Sequence, residues 1–106
     1  MPGVGTTKLF ENDRVVVWDL TLAPGEESGV HTHEHPYFFQ VLTGSTLSTL
    51  DADGQDLGSF TFEDGQTVWL DLEGDEVILD DVRVPATHNA KNIGSETYRE
   101  ILIELK

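Results

Sequence analysis

Apolar and β-branched residues come in short runs separated by turn-forming residues. Residues 14–22 (RVVVWDLTL) read as a strand closed by the turn Ala23-Pro24-Gly25. Residues 37–42 follow, and after Gly44 residues 45–50 alternate polar and apolar up to Asp51-Ala52-Asp53-Gly54, a hairpin tip because Asp and Gly tolerate positive φ. Further strands are predicted at 58–62, 67–72, 76–84 and 98–105, with Gly65 and Glu73-Gly74-Asp75 as turns. The last alternates from Glu100 onward, which predicts one buried and one wet face. No segment holds a 3.6-residue apolar period over three turns, so no substantial helix is expected. The class predicted is all-β, a sandwich or barrel of short strands. Trp18, Phe39, Phe60, Phe62 and Trp69 are its expected core aromatics.

At 106 residues the chain fits a single domain, 1–106, with no repeat, linker or low-complexity tract. Residues 1–8 are small and polar enough to form a loose arm or a strand exchanged with a partner. There is no cysteine, which removes disulfides, thiolate metal sites and a cysteine nucleophile. Twenty acidic residues against six basic give a formal net charge of −14. That balance argues against nucleic acid and against anionic lipid as partners. The acids are scattered, as expected of a solubilising surface. No apolar run approaches the ~20 residues that span a bilayer, and no leader pattern opens the chain, so a soluble cytoplasmic protein is expected.

Three of the four histidines form the run His31-Thr32-His33-Glu34-His35. Residues two apart on a strand share a face, and neutral imidazole is the commonest protein ligand for transition metals. The fourth, His88, lies far along the chain in Val84-Pro85-Ala86-Thr87-His88-Asn89. Histidines from one strand joined by a distant one make a metal site the leading functional reading.

The stretch Gly25-x5-His31-x-His33-x3-Tyr37-x6-Gly44 resembles the first cupin motif, G-x5-H-x-H-x3-4-E-x6-G. His88-x3-Asn92 matches the end of the second motif, though the glycine usual after Pro85-x is missing. The chain resembles small single-domain cupins, including members named for β-alanine degradation. The resemblance implies a conical RmlC-like β-barrel, or jelly roll, of two antiparallel sheets around a divalent metal. Carried over by position, His31, His33 and His88 are metal ligands, and Tyr37 stands where the family's glutamate would finish the set. Between Gly65 and His88 there is room for an additional hairpin.

Three imidazoles suit Zn²⁺ and are compatible with Fe(II), Mn(II), Ni(II) or Cu(II). His35 and Gln40 are candidate additional ligands, and Tyr37 and Gln40 are candidates for orienting substrate or moving a proton. Asn92 reads as structural and Glu34 as a solvated acid. No carboxylate base is evident beside the ligands. Two functions follow. One is a metal-dependent enzyme, an oxygenase first and a lyase or isomerase next, acting on a small organic acid or carbonyl compound. The other is a non-catalytic cupin that binds a small metabolite around a structural or incidental metal. Exposed strand edges, and the habit of small cupins, suggest a homodimer.

Overall fold

The alternating runs become eleven strands and no helix in a computed structural model that describes residues 3–106. In chain order they are β1 (Thr7–Glu11), β2 (Val15–Leu22), β3 (His31–Thr32), β4 (Tyr37–Thr43), β5 (Ser45–Leu50), β6 (Asp56–Phe62), β7 (Thr67–Glu73), β8 (Glu76–Leu79), β9 (Val82–Pro85), β10 (Thr87–Asn92) and β11 (Tyr98–Leu105). All pair antiparallel, in a seven-stranded sheet ordered β1-β2-β11-β4-β7-β8-β9 and a four-stranded sheet ordered β3-β10-β5-β6. The fold is thus a jelly roll of two facing sheets. Among the described residues no helix is long and apolar enough to cross a membrane.

The core lies between the sheets. Leu20 and Leu22 of β2, Phe39 and Val41 of β4, Val68 and Leu70 of β7, and Val77 of β8 meet Leu47 and Phe62 of the smaller sheet. Phe39 and Phe62 pack edge to face at 5.3 Å, an arrangement favoured by the ring quadrupoles. Trp69 departs from expectation. On β7 it falls on the outer face, 51% exposed, where its ring stacks on Phe38 of β4.

Turn chemistry follows the sequence closely. The Ala23–Glu26 turn closes with the Glu26 N–H donating to the Ala23 carbonyl at 2.9 Å, and Gly25 takes φ = +86° as a type II turn after proline requires. The additional hairpin between Gly65 and His88 is β8–β9, so the predicted strand 76–84 divides at Asp80-Asp81, with Asp80 in the left-handed region.

Three strands escaped the pattern for physical reasons. Every residue of β1 is exposed, so it carries no inward apolar face. Strand β3 has two residues, and the inward positions of β10 include His88 and Asn92 in place of aliphatic side chains. Asn92, fully buried, fixes the end of β10. Its Nδ2 donates to the carbonyls of Leu22 and Glu96, and its Oδ1 accepts from Ser45 Oγ and the Gly94 N–H.

The N-terminal segment, expected to be loose or exchanged with a partner, packs in the single chain described. Val4 is buried in the core, and Thr7 and Lys8 pair with β2. Met1 and Pro2 lie outside the described residues.

Candidate metal centre

Backbone pairing brings the histidines together. His88 on β10 stands directly across from His31 on β3, so one antiparallel rung carries both. The chain leaves strand geometry after Thr32. The His33 N–H still donates to the Ala86 carbonyl at 2.9 Å, which holds His33 beside that rung. Ring centroids of His31–His33, His31–His88 and His33–His88 are 4.9, 4.8 and 4.9 Å apart. One nitrogen from each ring lies within 4.8 Å of the others, and all three residues are buried.

The hydrogen bonds say which nitrogens are free. His31 Nδ1 is 2.9 Å from the Gly29 carbonyl and His88 Nδ1 is 2.6 Å from the Pro85 carbonyl. A carbonyl only accepts, so each Nδ1 carries the hydrogen and each Nε2 presents a lone pair. His31 Nε2 faces His33 Nε2 at 3.1 Å, while His33 Nδ1 is buried without a partner. Burial disfavours the charged ring. It holds His33 down to about 2 and His31 down to about 4, with the neighbouring imidazoles adding to the effect. His88 is lowered as well, burial outweighing the bond to Pro85. Three neutral imidazoles in a tight triangle, two of them oriented by backbone carbonyls, fit a divalent metal ion.

A cavity of about 90 Å³ opens against this triangle. Besides the histidines its polar lining residues are Tyr37, Thr49 and Glu100, and the rest of its wall is apolar, with Leu20, Phe39, Leu47, Phe60 and Leu70 among it. Tyr37 is buried with its ring stacked on His33, centroids 4.1 Å apart and planes 8° from parallel. Burial, then the nearby Glu100 and Glu104 carboxyls, push its phenol well above the ordinary value, so it stays neutral.

Two other candidates are elsewhere. Gln40 lies on the outer face of β4, where Nε2 donates to the Gly65 carbonyl at 2.7 Å and Oε1 accepts from Thr67. The β4 register explains this: Tyr37 and Gln40 are an odd number apart and point to opposite faces. His35 is half-buried and stands outside the three-histidine group.

The residue that sequence reasoning missed is Glu100. Its strand was expected to have one buried face, and the buried positions are Tyr98, Glu100, Leu102 and Glu104, while Ile101 and Ile103 face outward. Register decides this, since Glu100 stands between Leu20 of β2 and Val41 of β4, both inward. Glu104 is reconciled to burial by the Trp18 indole N–H, which donates to it at 2.6 Å. For Glu100 the Tyr98 hydroxyl donates to Oε1 at 2.7 Å, and Oε2 has no partner. Burial pushes the Glu100 carboxyl up to about 8 against the lowering effect of Tyr98. A carboxyl therefore does line the cavity, in a form that holds its proton at neutral pH.

Comparison with known proteins agrees on the architecture. A cupin domain from Bordetella pertussis Tohama I is 23% identical over 99% of this chain and 95% of its own, with a TM-score of 0.70. An RmlC-like cupin with a double-stranded β-helix fold from Methanocaldococcus jannaschii gives 14% identity over 92% of this chain and 75% of its own, at 0.63. The chain has the cupin fold. A third structural neighbour, the polyketide cyclase RemF from Streptomyces resistomycificus, is 17% identical over 92% of this chain and 61% of its own, at 0.59. No protein-family model and no curated protein matches the sequence. At these identities the likeness concerns the cupin fold alone, and the site must be judged on its own residues.

Proposed function

We propose that this cupin-fold chain is a metal-dependent protein in which His31, His33 and His88 hold a divalent transition metal, and that the adjoining cavity takes a small organic acid or carbonyl compound. The observation that carries the reading is the convergence of three neutral imidazoles on one end of an otherwise mostly apolar cavity. Bound there, the metal would act as a Lewis acid toward a ligand oxygen and, as Fe(II), support dioxygen chemistry. Oxygenase activity is the favoured reaction, with lyase or isomerase chemistry next. The chain's own contribution is to exclude water with Leu20, Phe39, Leu47 and Leu70, and to back His33 with the Tyr37 ring. Tyr37 is also the nearest candidate to hydrogen-bond the ligand.

Alanine at His31 or His88 is expected to abolish bound metal with the fold retained, read by elemental analysis and circular dichroism. A full metal complement in either variant would sink the assignment. Oxygen uptake by Fe(II)-loaded protein with small acids, diketones and thiols tests the reaction class.

A second reading, a non-catalytic metabolite-binding cupin, is favoured by one observation. Both acidic groups of the cavity, Tyr37 and Glu100, hold their protons at neutral pH, which leaves no ready base. Silence across the panel, with a ligand-induced rise in melting temperature, would select it. A homodimer and a cytoplasmic setting are proposed on the same footing. Edge strand β1, with Leu9 and Phe10 more than half exposed, supports the dimer, and the net charge of −14 supports a soluble protein.

A further inference from the structure

Glu100 is the one buried side chain in the cavity wall whose chemistry the metal reading leaves unused. It sits on β11, in the larger sheet, whereas His31 and His88 belong to the smaller one. It is not one of the group that could share a metal. Oε1 is taken by the Tyr98 hydroxyl, Oε2 is buried without a partner, and Glu100 is among the residues that line the cavity. A fully buried carboxyl with no partner on one oxygen is costly unless a ligand completes it.

We propose that Glu100, held by Tyr98, is a ligand-recognising group that donates a hydrogen bond from Oε2 to an acceptor oxygen of a small organic molecule whose other oxygen lies at the histidine end. The proposal rests on the metal reading above and adds the class of ligand: a short molecule with two oxygen functions, such as a 2-oxo acid, a hydroxy acid or a diketone.

The charges around Glu100 make it a donor. The titratable groups on its side of the fold are Tyr98 and Glu104 on its own strand, Tyr37 on β4, and His31, His33 and His88 across the cavity. The inward positions of β2 beside it are Leu20 and Leu22, and the smaller sheet presents Leu47, Thr49, Phe60 and Phe62. Among the described residues no lysine or arginine lines the cavity. With no lysine or arginine to pair, the buried carboxyl of the metal-free chain keeps its proton, as the upward displacement to about 8 also indicates; a divalent ion at the histidines would draw that value down, and Glu100 is not one of the groups that would hold it. Since Tyr98 donates to Oε1, that proton belongs on Oε2. A neutral carboxylic acid there offers an O–H to a carbonyl or carboxylate oxygen. An ammonium ligand would favour ionised Glu100, but a divalent metal at the histidine end would repel it.

The test uses the full chain loaded with Zn²⁺, as wild type, Glu100→Gln and Glu100→Leu, titrated calorimetrically with pyruvate, lactate and acetylacetone. At least one probe is expected to bind the wild type near neutral pH. Its affinity is expected to fall at least about tenfold in Glu100→Leu, which loses the donor, and to stay within about threefold in Glu100→Gln, which keeps one. Raising the pH well above 8 weakens the wild type but not Glu100→Gln. Infrared difference spectra against Glu100→Gln should show a protonated-carboxyl band in the wild type at neutral pH that vanishes in alkali, whether or not the leucine variant folds. Absence of that band, binding of every probe unaffected by Glu100→Leu, or no binding at all overturns the proposal. Full zinc content with unchanged probe binding in Glu100→Leu removes the Glu100 role and leaves the metal reading standing. Zinc retained by His31→Ala removes the metal reading and leaves the infrared band to judge Glu100.

Discussion

At Glu100 one side chain sets a stability cost against a binding group. The carboxyl ionises near its ordinary 4.5 in the unfolded chain but holds its proton up to about 8 in the fold. Between those values the folded protein binds more protons, so stability from this group is complete below about 4.5 and is lost as pH rises through 8. Glu100→Gln, a neutral isostere that still accepts from Tyr98, should therefore stabilise the protein above pH 8, by on the order of a few kcal/mol. Little change is expected near pH 4.5. Urea unfolding across this range checks it; a gain that does not grow with pH would show that Glu100 is ionised in the fold. The sequence pointed to His31, His33 and His88 because their spacing is local or motif-bound. It did not point to Glu100, because glutamate on an alternating strand is ordinarily read as the wet face.

At the scale of elements, the site depends on strands with almost no hydrophobic signature. β3 and β10 bury His31, His88, Asn89 and Asn92, so the pattern that reveals ordinary strands is missing where the chemistry lies. Their placement relies on junctions such as Gly44, where the chain passes from β4 in one sheet to β5 in the other. A Cβ there would collide with the Phe62 carbonyl oxygen and come within 2.9 Å of Glu63 Cα, both backbone and unable to yield cheaply. Gly44→Ala should cost about 2 kcal/mol or more, read as a lowered urea midpoint. Gly25→Ala, strained in φ but with open space around it, should cost less, about 1 kcal/mol. Equal effects would mean the Gly44 junction opens to admit a methyl group.

For the whole molecule, charge and edges govern behaviour. Five surface ion pairs occur among the described residues, each worth little in water, against the mutual repulsion of a large excess of acidic over basic groups. Screening should therefore help more than it harms. Raising sodium chloride from about 0.02 M to 0.5 M is expected to lift the melting temperature by several degrees, and a fall on scanning calorimetry would mean the ion pairs outweigh the repulsion. The proposed homodimer predicts twice the chain mass by light scattering, reverting to the single chain in Phe10→Glu; a monomeric wild type would remove it.

The sequence by itself determined the all-β class, most strands and turns and the candidate histidines, because these follow from local alternation, turn stereochemistry and motif spacing; it left room for an extra hairpin but ran β8 and β9 together as one strand. Tertiary structure decided which way each face looks. A period of two leaves two phases open, and register against neighbouring strands turned Gln40 outward and Glu100 inward. The histidine run is the residue pattern's contribution to the site; the opposing carboxyl exists only once β11 lies between β2 and β4.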